Sequence, residues 1–470
     1  MTTRGMVSRA ALLALVLAGC GDDDTGGHDA EHRDETTVTD DFESGNRGTV
    51  EKLGDAQWVL SLRDDNDNAA LPDNWRTWWY ARFDHVHTDE PFTLTVGNNV
   101  WPYYYVPVYS YDQQTWLRFE EREVTQAADN SITVTTQFTQ PTVWIARFYP
   151  YTLTDLNAYL DTVSSPFVSR QTVGTTQLGR PMEVLTITDG SVPDAGKQRI
   201  WIHGRSHPAE TGSSFVLEGL LGLVLGDGED AASLRTHFVF SVLPMHNADG
   251  VVVGNYRTTP ASENLENMWF RDPADPSQLT AAAPHEVQVL RDAMVATQTS
   301  PDAIPVSVAL NLHSSNSEPD TGAFFFPHFG ATTSNYTEEE ARLYTQQIAF
   351  ADAVEGFYAG KIEPRAEGGR SFVTNNFPES WWWANDGADV MAMTIETVYG
   401  RAGFAPRWVT PDDMRGLGRA IGLAVLQYHG LPVATSAARS APAVGRGGLR
   451  YPALYPPAME QTLKDGATAR

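Results

Sequence analysis

The sequence predicts an α/β protein: a mixed or largely parallel sheet flanked by helices, preceded by an antiparallel β-sandwich. Three observations carry this. Between residues 42 and 163, short apolar runs rich in Trp, Tyr, Val and Thr recur at turn-marked intervals. From residue 164 the period changes, and strand-like runs alternate with helix-like ones. Within that second half, residues 198–219 read QRIWIHGRSHPAETGSSFVLEG, an apolar strand passing through a polar turn into an apolar-rich helix.

At 470 residues the chain is long enough for two or three domains with their own cores. A hydrophobic content of 41% with 11% aromatic residues excludes a wholly disordered chain. A formal charge of −26 excludes nucleic acid as a natural partner, because phosphate binding needs basic stripes.

Residues 1–19 read as a signal peptide, with Arg4 and Arg9 ahead of an apolar stretch at 10–18. Leu17-Ala18-Gly19-Cys20 resembles a bacterial lipobox, which implies that Cys20, the single cysteine, becomes the lipidated first residue of the mature chain. The expectation is an exported protein anchored by its N-terminus to the bacterial cell envelope. Gly21, in place of Asp, leans toward the outer membrane. Residues 20–41 are acidic and polar and read as a flexible tether. No other apolar run is long enough to span a bilayer.

The sandwich is expected over 42–163, with strands near 57–62, 75–85, 91–96, 103–109, 115–120, 131–138 and 142–148 and a short helix near 155–162. Its aromatic runs at 78–80 and 103–105 read as buried core and domain interface rather than a sugar-binding platform. The α/β domain is expected over 164–432. Its strands fall at 199–203, 237–244, 305–313 and 388–397, with helices at 213–225 and 285–297. A further helix starts at Thr337 with Glu340 completing a capping box, and the last opens at Thr410-Pro411. Residues 433–470 read as an irregular tail.

His207 and Glu210 stand two residues apart where a strand gives way to a helix, so an imidazole and a carboxylate can converge on one metal ion. A catalytic zinc site needs three protein ligands and an open position. His313 ends the apolar strand at 305–313, where open α/β sheets place their ligands, and completes a set of two histidines and a glutamate. Glu396 is the acidic residue near the end of the apolar strand at 388–397. It is either a structural ion pair or a general base, and a zinc hydrolase needs such a carboxylate. Arg257, in Gly254-Asn255-Tyr256-Arg257, is the candidate for polarising a scissile carbonyl. His285-Glu286 lacks the second histidine that a helical HExxH motif requires.

HGRSHPAET, PMHNADGVVVGNYR, NLHSS and MTIET stand in an order that resembles the zinc carboxypeptidases of the M14 type, in particular their cytosolic-carboxypeptidase-like branch. The upstream half, ending in WIARFYPYT, is similar to that branch's N-terminal domain. The resemblance covers roughly residues 42 to 430. It implies one Zn²⁺ per chain held by His207, Glu210 and His313, Glu396 as base and acid, and Arg257 on the carbonyl. The family follows its G-N-x-R with D-L-N-R-x-W, whose Asn and Arg hold the substrate's C-terminal carboxylate and whose Asp supports a zinc-ligand histidine. This chain has Asn264-Leu265-Glu266-Asn267-Met268-Trp269 instead. The resemblance thus puts Asn255, Glu266 and Asn267 at substrate-binding positions, with a neutral Asn267 where a bidentate guanidinium belongs. Arg365, Arg370 and Arg401 are substitutes in sequence only.

The expected function is zinc-dependent cleavage of C-terminal amide bonds in a peptide or protein substrate. Two alternatives accompany it: a zinc amide or ester hydrolase whose substrate lacks a free carboxylate, and a surface binding protein with weak catalysis.

Overall fold

The computed structural model describes residues 34–300, 303–327, 336–364 and 376–434. The expected signal peptide at 1–19, Cys20, Arg365, Arg370 and residues 435–470 lie outside the described residues. The described elements belong to one compact unit that starts at Thr36.

The first half contains β1 (Thr37–Thr39), β2 (Thr49–Gly54), β3 (Gln57–Ser61), β4 (Tyr80–Asp84), β5 (Phe92–Gly97), β6 (Val108–Ser110), β7 (Trp116–Arg118), β8 (Val124–Gln126), β9 (Ile132–Thr136) and β10 (Val143–Ala146). They form two five-stranded sheets, in the orders β1-β4-β10-β6-β7 and β2-β3-β5-β9-β8. Alternation explains the pairing. In β5, Phe92, Leu94 and Val96 are buried, while Thr93 and Thr95 meet Thr135 and Thr133 across the ladder, hydroxyl to hydroxyl at 3.2 and 3.0 Å. Pairing is antiparallel throughout except between β3 and β5. Two expectations are corrected. The tether does not reach Asp41, because Thr37–Thr39 pairs with β4 and Val38 packs against the sandwich core. The strand near 103–109 shrinks to β6, because Pro102 and Pro107 bracket the tyrosines and cannot donate to a ladder.

The aromatic run at 78–80 serves two cores. Trp79 points into the core between the sandwich sheets, and its neighbours Trp78 and Tyr80 point into the core shared with the second half. This is the period-two alternation of an extended chain used to join two domains.

The second half contains α1 (Leu153–Thr162), β11 (Val168–Thr175), β12 (Pro181–Ile187), β13 (Gln198–Gly204), α2 (Gly212–Val224), α3 (Glu229–His237), β14 (Phe238–Leu243), α4 (Ala248–Val253), β15 (Arg271–Asp272), β16 (Asp275–Leu279), α5 (His285–Thr299), β17 (Val306–Ser315), β18 (Phe324–Phe326), α6 (Glu338–Phe357), α7 (Pro378–Asp386), β19 (Met391–Val398) and α8 (Pro411–Tyr428). The capping box expected at Thr337 is present, and Thr410 caps the last helix with Pro411 in its first turn, adding a capping box with Asp413 that was not expected. Seven strands form the sheet β11-β12-β14-β13-β17-β19-β18. Its four central strands, β14, β13, β17 and β19, are mutually parallel, and the outer strands are antiparallel. Ile200, Trp201 and Ile202 of β13 are fully buried, as a strand covered by helices on both faces must be.

The order of the strands positions the site. From β13 the chain moves to β14 on one side and returns through β17 on the other. The crevice at such a reversal, beyond the C-terminal strand ends, is where open α/β sheets bind ligands. His207 follows β13, and His313 sits near the end of β17, paired in register with Glu396 of β19.

Candidate active site

The turn after β13 is held by its own arginine. Arg205 has a positive φ of 60°, costly for a residue with a side chain. Its buried guanidinium offsets that cost by binding the carbonyls of Pro208 and Tyr151 and the hydroxyl of Ser214. Helix α2 then starts at Gly212, where a Cβ would lie 2.6 Å from Thr397 and 2.8 Å from the Ser314 hydroxyl. Only glycine lets this helix start press so close to the ends of β17 and β19.

The turn brings the expected ligands together. Glu210 Oε1 lies 2.8 Å from Nδ1 of His207 and Oε2 lies 2.8 Å from Nδ1 of His313, and Oε2 also accepts the Ser314 N–H at 3.0 Å. One donor atom from each of the three residues lies within 4.8 Å of the others, and all three side chains are buried. The far ring nitrogens are engaged as well: Nε2 of His207 with Asn264 Oδ1 at 3.0 Å, and Nε2 of His313 with Glu266 Oε2 at 3.0 Å. An acceptor at Nε2 places the ring proton there and leaves Nδ1 as the donor toward a metal. Two imidazoles and a carboxylate with fixed tautomers fit a zinc ion.

The electrostatics agree. Burial pushes His207 down to about 4, helped by the nearby Arg257, so the ring is neutral near pH 7. Burial would raise Glu210, but the two histidines outweigh it and hold this carboxyl well below the usual range. Burial would depress His313, but Glu266 and Glu210 outweigh it and favour its charged form, a state that a bound cation would replace.

Above the ligands lies a narrow cavity walled by Glu210, Tyr256, Arg257, Ser314, Ser315, Asn316 and Glu396, and by Asn74, Trp75 and Trp101 from the sandwich. Glu396 Oε2 is buried there with no hydrogen-bond partner. Burial, reinforced by Glu210, pushes this carboxyl well above the ordinary range, as suits a group that trades protons. Arg257 comes within 4.0 Å of Glu210 Oε1, and its guanidinium lies 5.2 Å from the centroid of Trp75.

The loop that carries Arg257 is fastened by the other half of the molecule. Asp65, from the sandwich, accepts the backbone N–H groups of Tyr256, Arg257 and Thr258 at 2.7, 2.8 and 2.8 Å. Asn66 donates to the Thr259 carbonyl at 2.9 Å. Gly254 has a φ of 77°, and a Cβ there would lie 2.2 Å from the Gly45 carbonyl oxygen. Burial raises the Asp65 carboxyl against the pull of three amides.

His207, Glu210, His313, Glu396 and Arg257 therefore meet at one place. The three substrate positions do not join them. Asn255 is buried with its amide donating to Asn66 and to the Thr258 carbonyl, which makes it part of the fastening. Glu266 turns to His313 and to Asn311, whose amide reaches both of its oxygens at 3.2 and 3.0 Å. Asn267 is buried and is not among the walls of this cavity. Arg401 pairs with Glu121 and Asp320, away from the cavity. Sequence reasoning missed Asp65, Trp75 and Asn316. Asp65 stands among several acidic residues at 64–67, and nothing local singles it out.

Residues 38–148 match the family model described as the cytosolic carboxypeptidase N-terminal domain, and residues 156–405 match that of the zinc carboxypeptidases. Mouse cytosolic carboxypeptidase 2 is 34% identical over 254 residues, covering 48% of this chain and 29% of that protein. Mouse cytosolic carboxypeptidase 6 is 30% identical over 268 residues, covering 53% of this chain and 48% of that protein. The matched region thus spans less than half of either relative. Among solved structures, a metallo-carboxypeptidase from Burkholderia cenocepacia superposes with a TM-score of 0.69 at 23% identity, over 84% of this chain and 99% of that one. A Pseudomonas aeruginosa metallo-carboxypeptidase in complex with (2-guanidinoethylmercapto)succinic acid gives 0.68 at 21% identity, over 83% and 99%. At such identities the superpositions speak for the fold.

Proposed function

The chain belongs to the zinc carboxypeptidase family, a metallopeptidase with an N-terminal domain of the cytosolic carboxypeptidase type, and from that premise we propose that it removes residues from the C-terminus of peptides outside the cytoplasm. The observation that carries the hydrolytic reading is Glu396: a buried carboxyl with an unpartnered oxygen, one strand from His313 and on the same cavity as Arg257.

His207, Glu210 and His313 would hold the zinc, which supplies Lewis-acid chemistry to the floor of the cavity. Glu396 Oε2 accepts a proton from the attacking water and returns it to the leaving amine, a role open to a carboxyl whose hold on a proton is strengthened by burial and by Glu210. Arg257, fixed through its backbone by Asp65, faces the carbonyl oxygen as negative charge develops on it. Trp75 and Trp101 close the cavity from the sandwich side and exclude bulk water, which strengthens both interactions.

The leader and Leu17-Ala18-Gly19-Cys20 support a lipid-anchored location in the bacterial envelope. A Cys20→Ala chain expressed whole is expected to leave the membrane fraction; continued sedimentation with membranes would refute the anchor. One observation favours a second reading in which the substrate has no free carboxylate: the neutral Asn267. Matched peptides with free and amidated C-termini separate the two. The carboxypeptidase reading expects turnover of the free acids alone, with zinc near one per chain, and preference for the amides would overturn it.

A further inference from the structure

Among the described residues, two deeply buried guanidiniums make a contrast. Arg205 is 1% exposed, and its nitrogens are spent on two carbonyls and a hydroxyl. Arg147, the first residue after β10, is 3% exposed and is not so provided. Its Nε donates to Asn316 Oδ1 at 3.3 Å, and its guanidinium lies 4.0 Å from the centroid of Tyr105. Its Nη1 is buried without any hydrogen-bond partner, and no carboxylate among the described residues pairs with it. A buried cation without a counter-charge is expensive, and chains keep one where an anion arrives from outside.

The surroundings say where that anion comes from. Arg147 lines a small cleft with Tyr105, Asn316, Tyr399 and Trp408. Asn316 is also a wall of the catalytic cavity, beside Arg257 and Glu396, and its amide donates to the Tyr256 hydroxyl at 2.9 Å. It follows His313 by three residues on the same chain segment. One carboxamide therefore separates this guanidinium, with its unpartnered Nη1, from the candidate reaction centre. The bond it makes to Arg147 is long, and a carboxylate reaching past it would gain a charge-assisted, bidentate contact.

We propose that Arg147 is a carboxylate-binding residue of the substrate site, reached past Asn316, so that the sandwich domain supplies a specificity-determining cation to the catalytic domain. This rests on the peptidase reading above. The carboxylate is either an acidic side chain of the peptide or its terminal carboxylate, and the test separates them.

Zinc-loaded full chain, wild type and Arg147→Met, is assayed on free-acid peptides that differ only in Glu against Gln at the penultimate position. Loss of tenfold or more in kcat/KM, carried by KM and confined to the Glu peptide, assigns the side chain. Equal KM-borne loss on both assigns the terminal carboxylate. A fall in kcat at constant KM overturns the proposal, since that marks a disturbed scaffold. A second readout needs no turnover: glutarate should raise the melting temperature of the wild type more than the carboxylate-free diamide glutaramide does, Arg147→Met should erase the difference, and Arg147→Lys should restore part of it. An unchanged difference in Arg147→Met overturns the proposal as well. Should the wild type cleave no peptide while the glutarate difference depends on Arg147, the peptidase reading falls and the carboxylate site stands.

Discussion

The floor and the wall of the catalytic cavity are built differently. On the floor both ring nitrogens of His207 and of His313 have partners, and each oxygen of Glu210 is engaged. On the wall, Glu396 Oε2 has no partner, and Arg147 Nη1 behind Asn316 has none either. The floor comes wholly from the catalytic half, from segments that follow β13 and end β17. The wall is a joint product, with Trp75 and Trp101 contributed by the sandwich and Arg257 fastened by Asp65. A metal site must be satisfied before substrate arrives, because its ligands have to be oriented. A substrate wall must keep unmet hydrogen-bonding capacity, because the transition state is what satisfies it.

The largest expected effect tests the unmet capacity of the wall. Glu396→Gln keeps shape and removes the proton acceptor, so kcat should fall by roughly 10²–10⁴ with zinc content and melting temperature unchanged. Wild-type turnover in that variant would end the assignment. Arg257→Ala comes next, at about 10²–10³ in kcat for losing a donor aimed at a developing oxyanion. If KM alone moves, the arginine binds substrate and does not act on the transition state.

A smaller effect probes the floor. Glu266→Gln leaves the side chain its size but weakens its hold on Nε2 of His313. Zinc affinity, read by competition with a chelator, should drop by about 10–100-fold, the usual consequence of losing such a support. A changed KM with unchanged zinc affinity would instead return Glu266 to the substrate, where the family pattern puts it.

Glu266 also shows where sequence reading stops. Its residue type and its position were visible, but its direction was not. Facing Asn311 and His313 is a consequence of how the 264–269 segment packs under β17. The three candidate zinc ligands were legible because a short spacer and a strand end are local features, and the topology of an open sheet does the rest. Glu396 was legible for the same reason, as a charge near the end of an apolar strand. The β11–β12 hairpin was not expected, since β11 has no buried residue and so carries no hydrophobic period to read. The fold class survives such omissions because the buried central strands define it.

Asp65 is the clearest case of a contribution that arises only in three dimensions, and it gives the smallest and most discriminating prediction. It sits 192 residues before the amide of Arg257 to which it bonds, in the sandwich, which contributes none of the three candidate zinc ligands. Its three amide bonds fix the backbone of the loop, so Asp65→Ala should let the guanidinium wander and lower kcat by about tenfold, since small misplacements cost rate steeply. Zinc content should not change, because the floor does not touch Asp65. Local loss of stability would give the same fall, and a double-mutant cycle separates the two. If Asp65 acts through Arg257, the Asp65→Ala change should cost almost nothing further in kcat once Arg257→Ala is present. If the same tenfold fall persists in that background, Asp65 merely supports the fold, and the sandwich contributes walls to the cavity but does not aim the arginine.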